Sequence, residues 1–277
     1  MSFGPRPWQQ LHWDARAAGN FMLGGTGTGL LVAWALAATV TPGWQLYVVA
    51  GLALIGAGLG AVWLEIGRKL RALHVFFNPN TSWMTREAIV ALLVFALGAA
   101  ALASGSRGLG QLAALAALGF LYCQARILRA SKGIPAWREP AVTAFIIATG
   151  LAEGTGLFLV STALADTQSV LLAFFVLVVL VRALAWSRYR ARIQRSVPRP
   201  ALAALDPAGR ALIQLGTIAP LALALAAFAL PGLASAAGAL AGLAALGAGW
   251  RVKYVLVTRA AYNQGFALPR LPVRGTR

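Results

Sequence analysis

An all-α bundle of about eight membrane-crossing helices is the fold that this 277-residue sequence predicts. Three observations carry that expectation. Apolar residues make up 59% of the chain and charged residues only 11%, whereas a soluble domain carries about a quarter charged residues and needs them to cover its surface. The apolar residues come in runs long enough to cross a bilayer core of about 30 Å, which takes about 20 residues of helix. The basic residues fall almost entirely in every second connection between those runs, the pattern of membrane topology.

The elements follow in order. The first span covers about 17–40 and is closed by Thr41-Pro42-Gly43, and the second covers about 44–66. The third and fourth cover about 86–104 and 109–129, the fifth and sixth about 139–163 and 168–187. The seventh covers about 209–230, ends at Leu230-Pro231-Gly232, and is followed by the eighth at about 233–257. Together they read as one integral membrane domain. Their richness in Ala, Leu and Gly suits close helix packing in lipid. Strands are excluded because a lipid-exposed sheet edge cannot satisfy its backbone, and the alternating ten-residue segments of a barrel are missing. Residues 1–20 hold Pro5, Pro7, Gln9, Gln10, His12, Asp14 and Arg16, which is no signal peptide.

All 24 lysines and arginines except Arg107 fall on one side of the eight-span reading. The positive-inside rule puts that side, with both termini, in the cytoplasm of a bacterial inner membrane. In a soluble protein the +17 charge would suggest nucleic acid; here it reports topology and contact with anionic lipid. The cytoplasmic side also carries nearly all the loop mass, so a protein partner would dock there. The single cysteine, Cys123, cannot form an intrachain disulfide or hold an iron–sulfur cluster, and reads as a buried small hydrophobe. Two histidines, His12 and His74, are too few for the axial ligands of two b-type haems.

Seven acidic residues leave each one open to scrutiny. Asp14, Glu139, Asp166 and Asp206 lie in loops or at span ends. Glu65 ends the second span, Glu87 begins the third, and Glu153 lies inside the fifth. A charged group in hydrocarbon is costly, so such a carboxyl needs a partner or a function. Glu65, Arg71, His74, Asn78, Arg86 and Glu87 belong to one loop and its flanking helix ends. Carboxylates, an imidazole and a guanidinium at the membrane boundary suit a quinone head group and proton exchange with it. A capped, salt-bridged loop explains the same residues, since Glu87 near a helix N-terminus is favoured by the dipole. Asn20 and Tyr122 are polar at the same membrane edge, and Tyr122 also fits an interfacial aromatic belt. The run Gly24-Gly25-Thr26-Gly27-Thr28-Gly29 is no phosphate loop, because no strand precedes it; Gly25 and Gly29 read as a small-residue packing face.

On these residues the sequence resembles a known family. The run from Glu65 to Pro79 (EIGRKLRALHVFFNP) and Thr81 to Glu87 (TSWMTRE) are similar to the membrane anchor subunits of molybdopterin oxidoreductases, of the dimethyl-sulfoxide-reductase and polysulfide-reductase type. Asn20 to Gly29 (NFMLGGTGTG), Cys123 to Arg129 (CQARILR) and Pro135 to Pro140 (PAWREP) add to the likeness. The tail from Thr258 to Pro269 (TRAAYNQGFALP) looks more narrowly like the membrane subunit of phenylacetyl-CoA:acceptor oxidoreductase. The resemblance implies a haem-free anchor that binds menaquinone or ubiquinone among its first four helices. It also implies an iron–sulfur subunit and a molybdopterin catalytic subunit as partners. Glu65 falls where the family has a quinone-site histidine, which makes His74 the place to look for an imidazole. Glu87 matches a family glutamate, and Asn20 and Tyr122 match polar quinone contacts. Coenzyme-A thioesters are cytoplasmic, which agrees with the orientation read from charge.

The expectation is therefore a quinone-reducing anchor of a cytoplasm-facing complex, itself inactive on the organic substrate. Nothing in the sequence sets the direction, so a quinol-oxidising anchor of a terminal reductase stays open. A secondary transporter would want repeated halves, and none is visible. Glu153 is open between a proton path and a packing hydrogen bond.

Overall fold

The computed structural model describes residues 3–37, 43–66, 69–161 and 168–265. Eight helical stretches in it are long and apolar enough to cross a membrane. They are built from helices α1 (Ala15–Ala37), α2 (Trp44–Glu65), α3 (Trp83–Ser104), α4 (Arg107–Ala130), a one-turn α5 (Pro135–Arg138), α6 (Ala141–Val160), α7 (Gln168–Ile193), α8 (Arg199–Ile213), α9 (Ala219–Ala229) and α10 (Ala234–Tyr254). A 3₁₀ helix, Lys69–Phe77, joins α2 to α3. Two π-helical turns extend the bundle: Gln214–Ile218 fuses α8 to α9, and Val255–Arg259 continues α10.

Helix ends follow local chemistry. Ser82 and Ser106 stand before α3 and α4, and each hydroxyl accepts from a backbone N–H three residues on, Thr85 and Leu109. Gly43 and Gly105 take left-handed backbone (φ 62° and 69°) at the start of α2 and the end of α3, a conformation without a Cβ penalty only for glycine.

Helices α1 and α6 form the centre. Helix α1 packs against α2, α4, α6 and α10, and α6 against α1, α4, α7 and α10. Glycine makes this possible. A Cβ on Gly29 would come 2.9 Å from Gly154 Cα, and Gly25 faces Gly150 across the same seam. The small-residue face read at Gly25 and Gly29 is thus the α1–α6 contact. A second glycine contact, Gly156 on α6 against Gly242 on α10, brings a Cβ on Gly156 to 2.7 Å from the Gly242 carbonyl.

The segment before α1 and the segment after α10 meet at one end of the bundle. Gln10 N–H donates to the Ala261 carbonyl and Asn263 N–H to that of Trp8, both at 2.9 Å. Gln9 Nε2 reaches the Thr258 carbonyl at 2.8 Å, in the last turn, where carbonyls have no partner within the helix. An even number of spans requires this shared end.

The structure corrects the reading of the basic connection after the sixth span. Most of residues 188–208 is helix, not loop: α7 runs on to Ile193 and α8 starts at Arg199, leaving only 194–198 between them. Ala201, Leu205, Ala208 and Leu212 recur at helical spacing and are buried, so this segment forms an amphipathic helix after Pro198 and Pro200.

Candidate functional site

A cavity of about 670 Å³ opens at the end of the bundle where the segment before α1 pairs with the segment after α10. Helices α1, α2, α3 and α4 wall it, and the 3₁₀ helix covers it. The lining is mostly apolar, from Phe21, Leu59, Val62, Phe76, Met84 and Ile127, with three polar side chains of sequence interest, Asn20, Glu65 and Glu87.

Asn20 and Glu87 are buried, and Asn20 Nδ2 donates to Glu87 Oε1 at 3.2 Å. Gln124, fully buried on α4, sets that geometry. Its Nε2 donates to the Asn20 carbonyl at 2.9 Å and to Asn20 Oδ1 at 3.2 Å. With Oδ1 already accepting, the amide of Asn20 must turn its Nδ2 to the carboxyl. Space for this comes from Gly58 on α2, where a Cβ would come 3.1 Å from Asn20 Oδ1. Gln124 Oε1 is buried with no partner among the described residues.

Glu65 is half-buried at the rim. Asp14, Arg16 and His12 lie within its electrostatic reach. Asp14 accepts from the Arg16 backbone N–H at 2.7 Å and pairs with its guanidinium at 2.8 Å, which holds the Asp14 carboxyl below the usual carboxylate range. Trp13, another lining residue, stacks on Trp137 with centroids 4.7 Å apart. Trp137 is in turn fixed by an Nε1 donation to the Leu256 carbonyl at 2.8 Å.

Other residues singled out in the sequence lie elsewhere. Leu73, Val75 and Phe76 line the cavity, Leu73 from its exposed edge, while His74 is exposed outside the lining and meets Phe77 edge-on at 5.4 Å. His74 therefore does not line the cavity. Asn78 is exposed, and its carbonyl accepts from Ser82 N–H at 3.1 Å, a turn contact. Arg86 donates to the Pro79 and Asn80 carbonyls at 2.8 Å and lies 4.2 Å over the Trp83 ring. These bonds tie Arg86 to the loop before α3. Tyr122 is exposed, packs edge-on against Trp83 and bonds Arg126. The side chain of Arg71 lies outside the described residues.

Glu153 has a partner that the charge pattern concealed. Lys253, counted on the sequence among the basic residues of the cytoplasmic side, is fully buried in α10, and its Nζ lies 2.6 Å from Glu153 Oε2 and 2.8 Å from the Phe21 carbonyl. Thr26 reaches Glu153 Oε2 at 3.2 Å and accepts from Trp250 Nε1 at 2.9 Å. Arg182 is buried too. Its guanidinium donates to the Ala245 carbonyl at 2.9 Å and to the Gly216 carbonyl, which lies in the π-turn. Neither Glu153 nor Lys253 lines the cavity, although Lys253 bonds the backbone of Phe21, which does.

Sequence reasoning missed Gln124, Lys253 and Trp13. The signal for the first two was present. Each is a strongly polar residue inside an apolar run, and in hydrocarbon such a residue implies a partner in another span.

Over 132 residues the chain is 31% identical to one of the subunits of a sulfite dehydrogenase from Allochromatium vinosum. The match takes in 40% of this chain and 41% of that protein. No family model matches the chain. The chain is thus a multi-span helical membrane protein with partial likeness to an oxidoreductase subunit.

Proposed function

We propose that this chain is the quinone-reactive membrane anchor of a multi-subunit oxidoreductase. The observation that carries the reading is the apolar cavity under the 3₁₀ helix with Asn20, Glu87 and Glu65 in its wall. A quinone is an apolar ring and tail with two carbonyl oxygens. An apolar pocket of several hundred Å³ with a few convergent polar groups fits that chemistry.

When bound, a quinone supplies a two-electron, two-proton acceptor. The chain's own residues do the rest. Asn20 offers an amide as a hydrogen-bond partner, Glu87 holds or releases a proton at its carboxyl, and Gln124 positions Asn20. Glu65 at the rim exchanges that proton with water. The apolar lining keeps bulk solvent from the inner carboxyl.

The termini and the basic connections face the cytoplasm of a bacterial inner membrane in this reading. An iron–sulfur subunit and a molybdopterin subunit dock there and pass electrons to the cavity. The substrate belongs to the catalytic partner. The tail from Thr258 to Pro269 favours an aryl-acyl-CoA such as phenylacetyl-CoA, while the partial likeness to a sulfite dehydrogenase favours an inorganic oxyanion as a second reading.

The test is gentle extraction, metal and cofactor analysis of what co-purifies, and quinone reduction by the complex. Molybdenum, non-haem iron and quinone are expected together. Glu87→Gln should lower quinone reduction by about 10²–10⁴, the range of a general acid–base group, with assembly intact. A chain that runs alone without metal or quinone after mild extraction overturns the proposal and brings a transporter forward. Unchanged quinone turnover in Glu87→Gln leaves a passive anchor.

A further inference from the structure

A second concavity, of about 620 Å³, lies on the outside of the bundle between the last turns of α7 and the fused helix α8–α9. Its floor is the ring of Trp186, against which Gly209 packs without room for a Cβ. Among its lining residues Asp206 is the sole acid, and Arg190 neutralises it through two bonds, Nε to Oδ1 at 2.7 Å and a second nitrogen to Oδ2 at 3.2 Å. Arg210 lines the same groove one helical turn further on and is exposed, and its side chain has no hydrogen bond or ion pair among the described residues. Gln194 and Gln214 add polar side chains at the two ends. The groove therefore carries one uncompensated guanidinium beside an immobilised one.

The surface adjoining it is apolar. Leu184 on α7 and Leu215 and Ile218 on the fused helix are 52%, 57% and 59% exposed, on helices that cross the membrane. A ligand for this site must be anionic at the groove and apolar alongside it. A guanidinium pairs bidentately with phosphate oxygens.

The geometry points to a binding site for one anionic phospholipid, with its phosphodiester held by Arg210 and Arg190 and its acyl chains along Leu184, Leu215 and Ile218. The site is separate from the cavity under the 3₁₀ helix and does not depend on the quinone reading. It differs from a general attraction of basic loops for anionic lipid, because a single exposed arginine decides it.

The experiment uses the full chain, with whatever other proteins co-extract, in mild detergent. Retention of phosphatidylglycerol and of phosphatidylcholine is measured by native mass spectrometry for the unaltered chain, Arg210→Ala, Arg210→Lys, and Arg188→Ala as a basic control outside the groove. Selective retention of phosphatidylglycerol is expected. Arg210→Ala should lower it about fivefold, the factor of roughly one surface cation, Arg210→Lys should restore part of it, and Arg188→Ala should change nothing. Equal retention by Arg210→Ala, equal loss in Arg188→Ala, or equal retention of phosphatidylcholine overturns the site. Displacement of the lipid by millimolar inorganic phosphate would make it a free-anion site and overturn the lipid assignment.

Discussion

Replacing Lys253 with Met removes one half of an ion pair whose two side chains are both without solvent exposure. At a separation of 2.6 Å and an effective dielectric constant of ~20, Coulomb attraction in such a pair is about 6 kcal/mol. Desolvation of two charges offsets most of that, so the pair contributes little net stability, but removing one partner strands the other and costs about 3–5 kcal/mol. The surroundings deepen the cost. Gly25 and Gly249 make the space the pair occupies, a Cβ on Gly249 falling 2.5 Å from Glu153 Oε1. Among the described residues, Lys253→Met leaves Glu153 the Thr26 hydroxyl as its hydrogen-bond partner, whereas Glu153→Gln leaves Lys253 the Phe21 carbonyl and an amide oxygen. The lysine substitution should therefore be the more damaging. The double variant Lys253→Met/Glu153→Gln should cost less than the two single costs added, with a coupling of about 2 kcal/mol or more. Reversible unfolding in mixed micelles, followed for all four proteins, measures this cycle. Strict additivity would refute the pair, and a neutral Lys253→Met would refute the burial argument. If Glu153 serves packing alone, the folded fraction of Glu153→Gln keeps normal quinone turnover; an electrogenic signal that falls in this variant would make it a proton path.

Further outcomes follow from single contacts. Gly154→Ala places a methyl group against the backbone of Gly29 and Leu30; with no rotamer to relieve it, the loss should reach the top of the about 1–3 kcal/mol range of overpacking, read as lower yield and unfolding temperature. Gln124→Leu keeps the volume but removes the donor to Asn20, so quinone turnover should fall about tenfold, the scale of one hydrogen bond of about 1.4 kcal/mol, while the unfolding temperature moves little. Trp137→Phe deletes the donation to the buried Leu256 carbonyl; a destabilisation of about 1–3 kcal/mol is expected, along with loosening of Trp13, visible as a change in tryptophan emission.

The spans were legible because each apolar run is long enough to cross and few alternatives satisfy a backbone in lipid. A close-packing face on α1 was legible from Gly25 and Gly29 because only small residues permit such an approach; its partner, α6, was not. The extension of α7 and the start of α8 were not, because arginine-rich sequence reads as loop by charge although Arg, Ala and Leu are good helix formers. In the loop after α2, the sequence brought Glu65, His74, Arg86 and Glu87 into one neighbourhood but could not divide them. That division depends on the 3₁₀ helix, which places Leu73, Val75 and Phe76 in the cavity lining and leaves His74 and Phe77 out of it. Lys253 was hidden by its position near a basic tail, since burial of a lysine is decided by its partner, Glu153, 100 residues away in the chain.

The most direct measurement is labelling of the membrane-bound complex with a photoreactive quinone analogue, followed by mass spectrometric mapping of the adducts. Adducts should concentrate on the cavity wall, at Trp13–Phe21, Leu59–Ile66, Leu73–Phe76 and Met84–Ala88, and excess natural quinone should suppress them. Adducts on α7–α10, or adducts that excess quinone does not suppress, would contradict a quinone site under the 3₁₀ helix.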